Sequence, residues 1–271
     1  MTGVMEKIPA KTGWLWVKQG FALFRKQPAE MSTLFLSYMF LMLALGIIPV
    51  LGQMLPLILI PVFAMSFMQA CAQVEKGERV YPNLLLVGFR SPARNTLLKL
   101  GLLYLLAATV VVAASTLADG GVFWKAMMGG GLSADELEKS AGSMRMAMLI
   151  AAALYVPAAM AFWYAAPLIM WQRMTLGKAL FYSFFSVRRA GGAFLLYALA
   201  WIVIAIMVPT LISMVITLLT GSFNIVIFIL LPISIILTVV MYCSFYPTYT
   251  ALFGKPGNGS DSPAQAGDKL V

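Results

Sequence analysis

The chain contains no histidine, only two cysteines and few charges, with Asp, Glu, Lys and Arg together making 11% of its 271 residues. Each shortage removes a class of function. Metallohydrolase chemistry of the usual kinds is built from His, Cys and carboxylate clusters, and none with ligand spacing occurs, so no metal and no cofactor is expected. Cys71 and Cys243, each near the end of an apolar run, make no disulfide framework. None of the ten acidic residues falls inside an apolar run. Proton- and sodium-coupled carriers commonly place a carboxylate or histidine near the bilayer midplane. An ion-coupled carrier is therefore disfavoured, while one that uses backbone carbonyls and hydroxyls stays open. A GxSxG elbow and a phosphate-binding glycine loop are missing as well. The expectation is a protein that is no enzyme, with no catalytic residues and no nucleic-acid partner. The opening MTGVMEKIPAKTGWLWVKQ lacks the basic region, short apolar core and cleavage site of a signal peptide, so insertion is expected to depend on the first spanning helix.

What the chain has in excess is apolar surface: 61% of its residues, with a mean hydropathy of +0.90. Soluble domains run to roughly half apolar and a quarter charged, and the excess here lies in runs too long for a buried core helix. The solvent for most of the chain must be lipid. No charge interrupts the 44 positions between Glu30 and Glu75, roughly twice the ~20 residues that cross a hydrocarbon core. That stretch must be a hairpin, turning at GIIPVLGQMLP (46–56). Single spans are expected at 100–118 and 146–172, and the uncharged 65 residues from 190 to 254 require two helices broken at TGSFN (220–224). The fold expected is all-α and polytopic, because backbone groups in lipid must bond internally and the alternating strands of a barrel are absent. Six transmembrane helices are placed at about 31–48, 53–74, 97–118, 146–171, 191–219 and 224–250, forming one domain over 1–254. The polar, glycine-rich tail 255–271 is expected to be disordered.

With both ends on one side, only Lys125, Lys139 and Arg145 lie opposite, leaving sixteen of the 19 Lys and Arg on the terminal side. The positive-inside rule then puts both termini in the cytoplasm of a bacterial inner membrane. The segments before spans one, three and five, GFALFRKQPAE, LLLVGFRSPAR and FYSFFSVRRAGG, can be laid on one another. In each, an aromatic-rich run ends in an apolar residue and a cation: Phe24 and Arg25, Phe89 and Arg90, Val187 and Arg188. The even spans share a proline at Pro61, Pro167 and Pro247. The parse is three repeats of an interfacial amphipathic helix (about 12–26, 81–91 and 176–189) followed by a transmembrane hairpin. In the first, Trp14, Val17, Phe21 and Phe24 make a stripe; in the third, Leu180, Phe181, Phe184, Phe185 and Val187 face the apolar side and Arg188 snorkels to the headgroups. Arg25, Lys26, Arg90, Arg94, Arg188 and Arg189 are thus either topology anchors or contacts to anionic lipid headgroups, worth about 1 kcal/mol per cation.

The interfacial-helix-plus-hairpin pattern, the WLWVKQGFALFRKQP opening and the LGKALFYSFFSVRRAGGAF segment resemble six-helix inner-membrane proteins of beta-proteobacteria, a family uncharacterised in activity. More distantly they resemble the membrane domain that precedes some glycerophosphodiester phosphodiesterases. The resemblance implies topology and no catalytic residues, and the phosphodiesterase domain itself is missing.

Four further features bear on function. Met144, Met146 and Met148 alternate at the entrance to span four, with Met127 and Met128 upstream. Thioethers suit Cu(I), but positions i and i+2 do not share a helical face and a helix entering lipid needs apolar side chains there. The loop 119–143 is the candidate docking surface for a protein partner. Within it, GVFWKAMMGGG reads as an interfacial wedge or a flexible connector, and SADE (133–136) as a capping box, Ser133 with Glu136, opening a short helix through Lys139. Gln53, Gln69, Tyr155, Tyr164 and Tyr242, with Gln73, Asn224, Ser244 and Tyr246, are the polar groups inside spans; they either join helices or line a pathway. Span four, with Ala161 and Ala165 at small-xxx-small spacing between Pro157 and Pro167, is expected to pack centrally. The function expected is a non-enzymatic membrane protein acting on lipids or envelope proteins. The alternative is a transporter or channel for a neutral or lipid-like solute.

Overall fold

A computed structural model of the chain describes residues 8–49, 51–128, 133–221 and 223–256, most of them helical and none of them strand. In chain order the helices are α1 (Thr12–Lys26), α2 (Pro28–Gly46), α3 (Leu51–Lys76), a 3₁₀ turn (Pro82–Leu86) running into α4 (Val87–Arg90), α5 (Arg94–Asp119), α6 (Val122–Met127), α7 (Ala134–Phe162), α8 (Ala165–Trp171), α9 (Leu176–Arg189), α10 (Gly191–Thr220) and α11 (Phe223–Phe253). Six stretches are long and apolar enough to cross a membrane: Pro28–Gly46, Met54–Lys76, Arg94–Asp119, Glu138–Trp171, Gly191–Leu219 and Ile225–Phe253. The first starts earlier than the sequence places it because Pro28 occupies the first turn, where its missing N–H costs nothing. The tail beyond residue 256 lies outside the described residues.

The three hairpins α2–α3, α5–α7 and α10–α11 meet at the end that carries α1, α4, α8 and α9. The main core gathers there, from Met31, Leu34 and Phe35 of α2, residues 62–74 of α3, Leu97 and Leu100 of α5, the whole of α8, and Val239 to Tyr249 of α11. Toward the other end, which we call the loop end, α3 still packs on α5 but the third hairpin stands apart from the second. Among the described residues neither α10 nor α11 packs to any extent against α5 or α7. Leu117, Leu218 and Phe228 there are more than four-fifths exposed. Lipid tails are as apolar as leucine, so nothing drives these halves together.

Each short helix leans on the hairpin that precedes it in the chain. The 3₁₀ turn and α4 rest on α2 and α3, α9 rests on α7 and α8, and α1, before which no hairpin is described, rests on α10 and α11. The face α1 presents differs from the expected stripe. Trp16, Val17 and Leu23 are buried between Gly13 and Gly20, while Trp14 is exposed with the Lys18 ammonium 5.7 Å from its ring centroid. Glycine decides the face. A Cβ at Gly13 would strike the Ala193 carbonyl and one at Gly20 the backbone and side chain of Ser244, so only a bare backbone fits so close to α10 and α11. On α9 the small residues Ala179 and Ser183, with Val187, likewise turn inward, leaving Phe181 and Phe185 outside.

Three local expectations are corrected. The helix that begins at Ala134 does not stop near Lys139 but continues as α7 into span four, since the lone Gly142 costs only about 1 kcal/mol and no proline follows before Pro157. Span four is not one helix: it breaks at Trp163–Tyr164, where Pro167 has no N–H for the Trp163 carbonyl and its ring would clash with it. Nor does it pack centrally. Its most apolar window is 11% buried against 50% for α3, which is surrounded at the converging end by α4, α5, α8 and α11.

Candidate functional site

The converging end holds most of the polar chemistry described. The six cations singled out from sequence come together there in pattern: Arg25 and Lys26 in the last turn of α1, Arg90 at the end of α4, Arg94 at the start of α5, and Arg188 and Arg189 in the last turn of α9. All six are exposed. Among the described residues none of them makes an ion pair; the pair that forms is Lys255 Nζ with Glu75 Oε1 at 3.0 Å. The Tyr246 hydroxyl donates to the other oxygen of Glu75 at 2.8 Å, tying the end of α3 to α11.

Beneath the cations the span polar groups bond to one another rather than to a channel. Trp171 Nε1 donates to Gln69 Oε1 at 3.2 Å, and Gln172 Nε2 to the Tyr249 hydroxyl at 3.2 Å. Ser244 gathers the Tyr197 hydroxyl at 2.7 Å and Trp201 Nε1 at 3.2 Å where α1 meets α11. Tyr242 stacks on Phe67 with centroids 4.5 Å apart. Tyr164 is fully buried among Phe194, Phe245, Tyr249 and Phe253, and its hydroxyl makes no hydrogen bond of good geometry among the described residues. Tyr155 is 63% exposed on the outer surface of α7. Gln69, Tyr164 and Tyr242 therefore sit in the interior, and Tyr155 does not join them. The side chains of Gln53 and Asn224 lie outside the described residues.

The break in span four is satisfied by a neighbour. The Tyr164 N–H, which in a continuous helix would bond to Met160, donates instead to Ser183 Oγ at 2.9 Å, and that hydroxyl donates to the Met160 carbonyl at 2.8 Å. Tyr104 adds a donor to the Phe162 carbonyl at 3.3 Å. One serine of α9 is thus spliced into the backbone ladder of the span. Irregular backbone at membrane depth is tolerated where protein buries it, and Ala165 to Ile169 are all buried.

At the loop end, α6 folds back on α5. The Asp119 carboxylate accepts from the Gly121 and Phe123 N–H groups at 2.8 and 2.6 Å, and Trp124 Nε1 donates to Ser115 Oγ at 2.6 Å. GVFWKAM is a tethered wedge. The Glu136 side chain of the capping box lies outside the described residues, as do residues 129–132 and the Met127 side chain. Met144, Met146 and Met148 all lie on α7, where alternate residues point to different sides, with Met146 and Met148 exposed.

The sequence missed two elements of this end: the serine splice, and a cleft between the start of α2 and the turn after α3, lined by Ala29, Glu30, Thr33, Arg79, Tyr81 and Pro82. Ser183 was legible only as one polar residue in an aromatic helix, and Glu30 and Arg79 only as the charges that flank the first hairpin.

Six apolar spans in three hairpins, with cations ringing one end, define a multi-pass all-α membrane protein. The chain is 40% identical over 269 residues to a protein of Burkholderia thailandensis named as a probable inner membrane protein, an alignment covering 97% of this chain and 98% of that one. It belongs to that family of inner-membrane proteins. No family model matches the chain, and no solved structure matches it. The likeness to the membrane domain preceding some phosphodiesterases rests on the sequence pattern alone.

Proposed function

We propose that this inner-membrane protein acts without catalysing a reaction, by holding anionic phospholipid headgroups against the cation ring of its converging end, which faces the cytoplasm together with both termini. The observation that supports this is the state of the cations: six exposed Arg and Lys at helix ends, none paired with a carboxylate among the described residues. An anionic leaflet attracts each by about 1 kcal/mol. Native mass spectrometry of the purified chain tests it. Phosphatidylglycerol should survive purification in preference to phosphatidylcholine of the same chain length, and Arg188→Gln with Arg189→Gln should weaken that retention several-fold. Equal retention of both lipids, unchanged in the double variant, would reduce the cations to topology signals. A reporter fused to the C-terminus should be active only in its cytoplasmic form.

One observation favours a second reading, the movement of a neutral or lipid-like solute. Span four is broken, and the third hairpin stands apart from the second at the loop end, leaving an opening toward the bilayer; broken helices mark substrate sites in many carriers. Flip-flop of a labelled lipid in proteoliposomes at the rate of empty vesicles would end it. An envelope partner would find its surface in the loop 119–143, through the wedge of α6.

A further inference from the structure

We propose that the cleft between α2 and the turn after α3 seats the headgroup of a zwitterionic membrane phospholipid bearing a primary ammonium, of the phosphoethanolamine class. The cleft is open to the surface, has a volume of about 260 Å³ and lies at the start of the first span. Its walls carry one carboxylate, Glu30, and one guanidinium, Arg79, and no ion pair within 4.0 Å joins them or ties either to another described residue. Two opposite charges that share a cleft and leave each other unpaired match a ligand that brings both signs on a short tether. The phosphate takes Arg79, whose fork of N–H donors suits its oxygens. The ammonium takes Glu30, with the Thr33 hydroxyl, already donating to the Ala29 carbonyl at 2.8 Å, offering its lone pairs.

The walls are held in place. α3 closes in a Schellman turn, with the Glu78 N–H on the Gln73 carbonyl at 2.9 Å, the Gly77 N–H on the Val74 carbonyl at 3.2 Å and Gly77 at φ +79°. Gln27 then clamps the segment that follows: its Nε2 donates to the Glu78 carbonyl at 2.7 Å and its Oε1 accepts the Val80 N–H at 3.0 Å. Arg79 is carried between those two bonds. Chemistry disfavours the phosphatidylglycerol and choline headgroups. Phosphatidylglycerol brings hydroxyls but no cation to Glu30, while a choline has no N–H to donate and would need an aromatic cage, of which Tyr81 is a single wall.

This rests on the lipid reading of the protein but on different residues, so the two fail separately. The full chain, delipidated in detergent, is titrated with phosphatidylethanolamine, phosphatidylcholine and phosphatidylglycerol of identical acyl chains and read by native mass spectrometry. Phosphatidylethanolamine should bind about tenfold more tightly than phosphatidylcholine, the worth of one charge-assisted hydrogen bond. Glu30→Gln should abolish that preference, Arg79→Gln should weaken both zwitterionic lipids alike because both carry the phosphate, and the exchanged pair E30R with R79E should restore part of the preference. Arg188→Gln with Arg189→Gln should leave it unchanged. Equal binding of the ethanolamine and choline lipids, a preference that outlives Glu30→Gln, or zwitterionic binding unweakened by Arg79→Gln overturns the cleft while leaving the cation ring standing. Water-soluble glycerophosphoethanolamine binding as tightly as the lipid would overturn the membrane source of the ligand.

Discussion

Replacing Ser183 by alanine should cost the fold about 2 kcal/mol, and the figure follows from what the hydroxyl does. It serves two backbone groups at once, the Tyr164 N–H and the Met160 carbonyl, in a residue that is itself fully buried. Leaving a buried polar group unpaired costs about 1–3 kcal/mol, while interhelical hydrogen bonds in membrane proteins average about 0.6 and reach about 1.7 kcal/mol. Two such bonds place the loss between about 1 and 3 kcal/mol. The helix has one escape, to straighten and bond Tyr164 directly to Met160. Pro167 blocks it, because its ring would strike the Trp163 carbonyl at a cost of about 3 kcal/mol. A double-mutant cycle therefore isolates the mechanism. Unfolding in mixed SDS micelles, followed by the fluorescence of Trp163 at the break, should show S183A destabilising by about 2 kcal/mol in the native background but by less than about 0.5 kcal/mol when Pro167→Ala allows the ladder to close. An S183A cost that is the same in both backgrounds would refute the splice and leave only loss of packing.

Other outcomes can be stated briefly. Gly20→Leu should separate α1 from α11 and abolish the monodisperse folded species in size-exclusion chromatography, since its Cβ already meets the backbone of Ser244; the same change at Gly46, where a Cβ meets nothing within 4 Å, should be silent. Cys71 and Cys243 are fully buried, so a membrane-permeant maleimide should label neither until SDS unfolds the bundle, and rapid labelling of the native protein would contradict the packing of α3 on α11. Tyr246→Phe should cost about 1 kcal/mol by removing a charge-assisted hydrogen bond to Glu75. Lys255→Ala should cost less than about 0.5 kcal/mol, because the Lys255 side chain is 60% exposed and surface pairs are worth little.

The six spans were legible because lipid leaves a one-dimensional signature: an uncharged run of known length is a helix whatever its neighbours do. The cations were legible for the same reason, since charge cannot lie in the core and so marks its ends. What periodicity left open was which side of an interfacial helix meets the protein. In water the large apolar residues of a helix would. In lipid the two sides are equally apolar and shape decides, so Gly13, Gly20, Ala179 and Ser183 face the bundle while Trp14 and Phe181 face out. The central place of α3 was not legible because four elements distant in sequence surround it, and hydropathy ranks it below α10, whose most apolar window is 0% buried. The break at Trp163 was half legible. Pro167 announced it, but the serine that makes it tolerable sits 16 residues further on, in another element.

The seat of α1 has a consequence for how the molecule is made. The first helix of the chain rests on the last two, with Gly13 against Ala193 and Gly20 against Ser244. During synthesis it emerges with nothing to lie on, and more than two hundred residues must follow before residue 244 exists. It has to wait at the membrane surface, held there by Trp14, Lys11 and Lys18 while the hairpins enter one after another. α1 is then the last of the described helices to dock, and its docking joins the first hairpin to the third.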